Sequence, residues 1–185
     1  MSYDLLCYPS KSGTPQTAEA EGCYNSDYRR EVSKDLARDL KQKIATALMQ
    51  HNPRLHPSEF LYAQIAQRRN ISEEQARRLY CHIELTPPAE DPAIQITIYD
   101  DHVDLTLPFW YKGDKAVEVF AELQGYLRVI GETAGFFVYD RQAGIAFDPL
   151  VEELNRETYD GAMRIVPSTM ARSGKRRRRP WWKFW

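Results

Sequence analysis

The side chains able to do chemistry are few and scattered. Histidines stand at His51, His56, His82 and His102, and no two have the H-x-x-x-H spacing that sets both imidazoles on one helix face to ligate zinc. Neither a G-x-S-x-G nucleophile elbow nor a glycine-rich phosphate cradle occurs, and Lys11-Ser12-Gly13-Thr14 lacks the glycine order of a phosphate loop. Cys7, Cys23 and Cys81 are odd in number, far apart and without a C-x-x-C pair. They are expected to be reduced, buried thiols rather than a disulfide framework or a metal site. The one concentration is Asp100, Asp101, His102 and Asp104. Three carboxylates suit a hard divalent cation, but within one tight turn they read more simply as a solvated acidic tip. Tyr99 beside the tip, with Trp110 and Tyr111 downstream, adds rigid contact area, so the set fits recognition of a basic protein surface. The expectation is a partner-binding site of Tyr99, Asp100, Asp101, His102, Asp104, Trp110 and Tyr111, with no catalytic residue, metal or cofactor.

A β-hairpin must present that tip. Ile94, Ile96 and Ile98 alternate with polar residues, as do Val103, Leu105, Leu107 and Phe109, which is the period of two of half-buried strands. Asp100-Asp101 joins them, aspartate being tolerant of left-handed backbone angles. The apolar face is expected to collect the helices.

The rest of the chain supplies them. Residues 3–8 read as a strand, and residues 9–25, polar with Gly, Ser and Thr, as a mobile loop. Ser26 or Asp27 can cap a helix reaching about Gln50, with Val32, Leu36, Leu40, Ile44 and Leu48 along its core stripe. Its charges Arg29, Arg30, Glu31, Lys34, Asp35, Arg38, Asp39, Lys41 and Lys43 are assigned to a solvated face. Short helices follow at 58–69 and 73–80, the second opened by a Ser72/Gln75 capping box. Residues 65–80 have the outline of a DNA-reading helix-turn-helix. Against that, Glu73 and Glu74 would sit where such a helix meets phosphates. Residues 81–86 form a strand, 115–134 a helix capped by Asp114 and ended by Gly135, and 136–139 and 145–147 two more strands. Asp148-Pro149 is expected to open a short helix over 150–158. The predicted class is α+β, a mainly antiparallel sheet packed against helices, as a single domain over 1–167.

Charge divides the chain unevenly. Residues 172–185 hold seven Lys/Arg and no acid, leaving 18 basic against 26 acidic residues, about −8, in the body. An acidic body disfavours nucleic acid and suits a basic protein partner. Residues 168–185 are expected to form a flexible basic-aromatic tail. Within it Arg176, Arg177, Arg178, Arg179, Trp181, Trp182 and Trp185 could contact an anionic membrane surface, or the tail could fold back on the acidic body. No basic-then-apolar leader opens the chain and no apolar run reaches membrane-spanning length, so a cytoplasmic protein is expected, with peripheral membrane contact through the tail as a further option.

The opening MSYDL, the run YAQIAQRRNISEEQARRLYCHIEL with the following TPP, the hairpin AIQITIYDDHVDLTLPFWYKG and the later GFFVYDRQAGIAFDP together cover most of the body. In these pieces the chain resembles small bacterial immunity-type proteins associated with polymorphic or secreted toxins, with Arg141 departing from the family's YDPQ. The resemblance implies a cytosolic antidote that binds a cognate toxin and occludes its active site. A DNA-binding regulator using 65–80, or a membrane-tethered adaptor using the tail, are the alternatives.

Overall fold

The predicted hairpin forms the middle of the sheet. The computed structural model describes residues 2–24, 34–88, 93–157 and 159–160. Strands β4 (Gln95–Ile98) and β5 (Val103–Pro108) pair antiparallel with Ile98 opposite Val103 and Gln95 opposite Thr106. The amino-terminal strand β1 (Ser2–Tyr8) inserts on the other side of β5, and β6 (Phe137–Asp140) and β7 (Ile145–Phe147) continue beyond it. On the far side of β4 lie β3 (Ile83–Thr86) and the two-residue β2 (His56–Pro57). The order is β2-β3-β4-β5-β1-β6-β7, every described pairing antiparallel, which bears out the α+β reading.

Two long helices cover the apolar face, as the alternation requires. Helix α2 (Lys34–His51) and helix α5 (Gly113–Ala134) pack on each other and on the strands. Ile44 and Leu48 of α2 and Val119, Phe120, Leu123, Leu127 and Ile130 of α5 share one core with Tyr3, Leu5, Ile96, Ile98, Val103 and Leu105. Each such side chain, fully buried, contributes roughly 1.5–3 kcal/mol of transfer free energy. Gly135, at φ 65°, closes α5 as expected, but Lys112 rather than Asp114 occupies the N-cap position. The starting residues expected for α2, Ser26 and Asp27, lie outside the described residues.

Three segments differ from the sequence reading. Within the expected mobile loop 9–25 lies helix α1 (Thr17–Tyr24), fixed where Ala20 packs against Leu6, Tyr8 and Tyr139 on the second face of the sheet. The Tyr8 hydroxyl secures its approach, donating to the Gln16 carbonyl and accepting from the Gln16 N–H. Helix α3 (Tyr62–Arg69) begins four residues later than expected, because His56–Pro57 pairs with β3 and the Ser58 N–H is bonded to the Glu84 carbonyl. Helix α4 (Glu73–Leu79) carries the full Ser72/Gln75 capping box.

The expected helix 150–158 is instead a single turn at 149–151 followed by irregular chain, with helical backbone at 156–157 and again at 159–160. Gln124 of α5 explains the change: its side-chain oxygen accepts from the Leu154 N–H at 2.9 Å, which takes that donor out of helical pairing. Neither turn aspartate, Asp100 or Asp101, adopts a positive φ; among the described residues only Asn70 does so outside glycine. Among the described residues, no helix is long and apolar enough to cross a membrane.

Candidate functional site

Strand alternation decides what the second face of the sheet presents. Ile83, Leu85, Ile96, Ile98, Val103 and Leu105 point into the core, so Glu84, Thr97 and Asp104 point away. Register sets those three side by side, Glu84 opposite Thr97 and Thr97 opposite Asp104. One residue pair further along, at the hairpin end, the row consists of rings. Phe60 meets His82 edge to face at 4.9 Å, His82 lies 5.2 Å from Tyr99, and Tyr99 stacks on His102 at 4.4 Å with 19° between planes. Tyr80 at the end of α4 closes on Phe60 and His82, each at 5.9 Å.

Each imidazole of this row faces a carboxylate. His82 Nε2 is 3.1 Å from Glu84 Oε1, and His102 Nδ1 is 2.7 Å from Asp101 Oδ1. Asp104 stands 3.9 Å from His102 Nε2. The negative field reaches the ring between them: burial first, then Asp104 and Glu84, push the Tyr99 hydroxyl up to about 12. Behind the sheet, burial followed by Asp104 raises the Cys7 thiol far above its ordinary value. Cys7 is thus the buried thiol expected, whereas Cys81 is exposed and Cys23 partly so; none of the three is in a disulfide.

The candidate residues separate into two places. Tyr99, Asp101, His102 and Asp104 gather on the face just described. Asp100 turns instead toward α2, where its Oδ1 lies 2.6 Å from Lys41 Nζ. Lys41, assigned from sequence to a solvated face, is only 8% exposed and also donates to the Cys81 carbonyl at 2.6 Å. Trp110 and Tyr111 lie at the opposite end of β5, roughly 20 Å away at 3.3 Å per residue. Trp110 is 58% exposed there, while Tyr111 accepts from the Ala93 N–H and donates its own N–H to Tyr159. Neither joins the acidic tip.

Sequence reasoning passed over His82 and Glu84. The signal was in the run CHIEL, where they alternate with Ile83 and Leu85, but only pairing with β4 brings them beside Tyr99. The membrane-contact candidates Arg176, Arg177, Arg178, Arg179, Trp181, Trp182 and Trp185 lie outside the described residues.

Three of the four arginines of the α3–α4 pair make contacts within it. Arg77 and Arg78 are bound to Glu73 and Glu74 one turn earlier, at 2.7 and 2.5 Å, and Arg77 covers the Tyr62 ring at 4.4 Å. Arg69 lies over Tyr80 at 5.5 Å. Guanidinium groups already matched by carboxylates on their own helix have little net charge to offer a phosphate backbone. No group of three or more His, Cys, Asp or Glu suited to a metal is present among the described residues.

Comparison with family models, with curated proteins and with solved structures finds no match.

Proposed function

We propose that this chain is an immunity protein of the bacterial cytoplasm that binds a cognate toxin and occludes its active site. The observation that carries the reading is the row of rings His82, Tyr99 and His102, each imidazole fronted by a carboxylate, at the adjoining ends of three paired strands. Rings held on a sheet lose little freedom when a partner covers them, so their contact area converts efficiently into affinity. Glu84, Asp101 and Asp104 add a negative field that accelerates encounter with a basic surface. Toxins that act on nucleotides or RNA need cationic active sites, which is the surface this field complements. The acidic balance of the body works in the same direction at longer range.

The test is co-expression with the product of the adjacent gene. The expected result is a partner toxic alone, harmless with this chain and co-purifying in stoichiometric amount, whose binding weakens on Glu84→Lys or Tyr99→Ala. A toxic partner bound equally well by both variants would move the interface off this face. Recovery of no protein partner, with DNA retained instead, would overturn the antidote reading.

A further inference from the structure

We propose that residues 172–185 of this same chain dock in cis on the His82–Tyr99–His102 face, so that the protein carries its own competitor for that surface. This inference does not depend on the identity of any toxin.

Three observations converge on this occupant. The first is that the face has only partial cover: Ala20 of α1 packs on Leu6, Tyr8 and Tyr139 toward β1 and β6, Tyr80 at the end of α4 borders the row at Phe60 and His82, and between them Glu84, Tyr99, His102 and Asp104 stay partly exposed. Second, the chemistry matches. The face joins aromatic rings to the carboxylates of Glu84, Asp101 and Asp104, and residues 172–185 join seven cations, with no acid, to Trp181, Trp182, Phe184 and Trp185. Guanidinium groups bind carboxylates by charge-assisted hydrogen bonds and lie favourably over rings, and indoles stack against tyrosine and imidazole. The two sets carry opposite charge, about −8 in the body against seven positive charges in the segment.

The third observation is reach. Tyr159, just before the last described residue, is fully buried among Tyr3, Phe109 and Phe120, with its hydroxyl on the Pro108 carbonyl. That places it at the end of β5 remote from the ring row, roughly 20 Å of strand away. The chain from Asp160 to Arg176 can span roughly 50 Å when extended, enough to pass round the sheet to its second face and run that length along it. A covalent connection of this length keeps the segment at an effective concentration in the millimolar range, so even a weak intrinsic affinity leaves the face mostly covered. A basic partner must then displace the segment, and an anionic surface that captures the segment would uncover the face.

The experiment uses the full chain carrying Trp110→Phe, which leaves Trp181, Trp182 and Trp185 as the only fluorophores of their kind. At low ionic strength the emission should be blue-shifted and acrylamide quenching about threefold weaker than in about 1 M salt, where the Debye length falls to about 3 Å. Glu84→Lys in this background should move both readings to the high-salt values, while Glu132→Lys, the same charge change on an exposed position of α5, should leave them in place. The readings should not vary with protein concentration. Solvent-like emission at every salt concentration would overturn the proposal. Equal effects of Glu84→Lys and Glu132→Lys would also overturn it, by showing attraction to the acidic body at large. A blue shift seen only when phosphatidylserine vesicles are added would assign the segment to lipid, and a concentration-dependent one would assign it to a second copy; either result rejects docking in cis.

Discussion

Lys41 Nζ sits 2.6 Å from Asp100 Oδ1 and 2.6 Å from the Cys81 carbonyl oxygen, so one ammonium ties α2 to the hairpin turn and to the chain entering β3. The Lys41 side chain is 10% exposed and that of Asp100 52%. Asp100 therefore acts as part of a clamp, and charge reversal there would disturb the hairpin that presents the ring row. Lys41→Met loses both bonds and deprives a carbonyl of its donor, at an expected cost of about 2 kcal/mol. Asp100→Asn, where water can replace the partner, should cost about 1 kcal/mol or less. Urea denaturation of the two variants checks the order.

Two glycines of α5 should respond to alanine in opposite directions. A Cβ at Gly131 would lie 2.9 Å from Pro149 Cγ and 3.3 Å from Leu150 Cδ2, against a buried ring that cannot rotate away. Gly131→Ala is expected to be destabilising by about 1 kcal/mol net, overpacking outweighing helix propensity. At Gly125 the Cβ would meet His51 Nε2 at 2.8 Å, the tip of an exposed side chain that can swing outward. Gly125→Ala should leave stability unchanged or raise it by up to about 1 kcal/mol. Thermal midpoints of both variants, measured together, decide the sign.

Tyr159 fastens the end of the described chain to the sheet. It is fully buried, stacks on Phe109 at 5.3 Å and meets Phe120 at 5.0 Å. Tyr159→Ala should cost about 3–5 kcal/mol through the cavity left behind. Tyr159→Phe should cost about 1–2 kcal/mol, because its hydroxyl donates to the Pro108 carbonyl at 3.0 Å. Denaturant midpoints test both, and equal losses would show that the hydroxyl rather than the ring carries the contribution.

Stability should fall in alkali. Burial pushes the Tyr99 and Tyr159 hydroxyls each up to about 12, so the folded chain holds these protons more tightly than the unfolded chain, where tyrosine titrates near pH 10. The stabilising contribution is complete below about pH 10 and is lost as pH rises through about 12. Melting curves against pH, with tyrosinate absorbance followed in parallel, should show the decline, and Tyr99→Phe should make it shallower. A flat stability profile across that window would refute the prediction.

Local periodicity disclosed most of the architecture. The hairpin was legible because one face of it is buried and the alternation Val103, Leu105, Leu107 records that directly. Helix α5 was legible from its apolar stripe and its closing glycine. Helix α1 was not, because it buries little besides Ala20 and carries no stripe at all. Lys41 was misplaced although it is spaced three, four and seven residues from Ile44, Ala45 and Leu48, on the buried side of α2; its charge concealed a positional signal. Of the candidate site, the hairpin residues were readable one strand at a time. His82, Glu84 and Phe60 join them through pairings 13 to 22 residues apart in the chain, and nothing local encodes that register.

The sheet ends in its two shortest described strands, β2 with two residues, one of them Pro57, and β7 with three. A foreign strand adding itself at either margin would find only a few backbone groups to pair with, and a proline at one of them supplies no N–H. Growth by strand addition, the route to fibrils and to β-augmentation of peptide partners, is blocked by geometry at both borders. Among the described residues, the sheet thus offers a partner the side chains of its faces far more readily than the backbone of its margins.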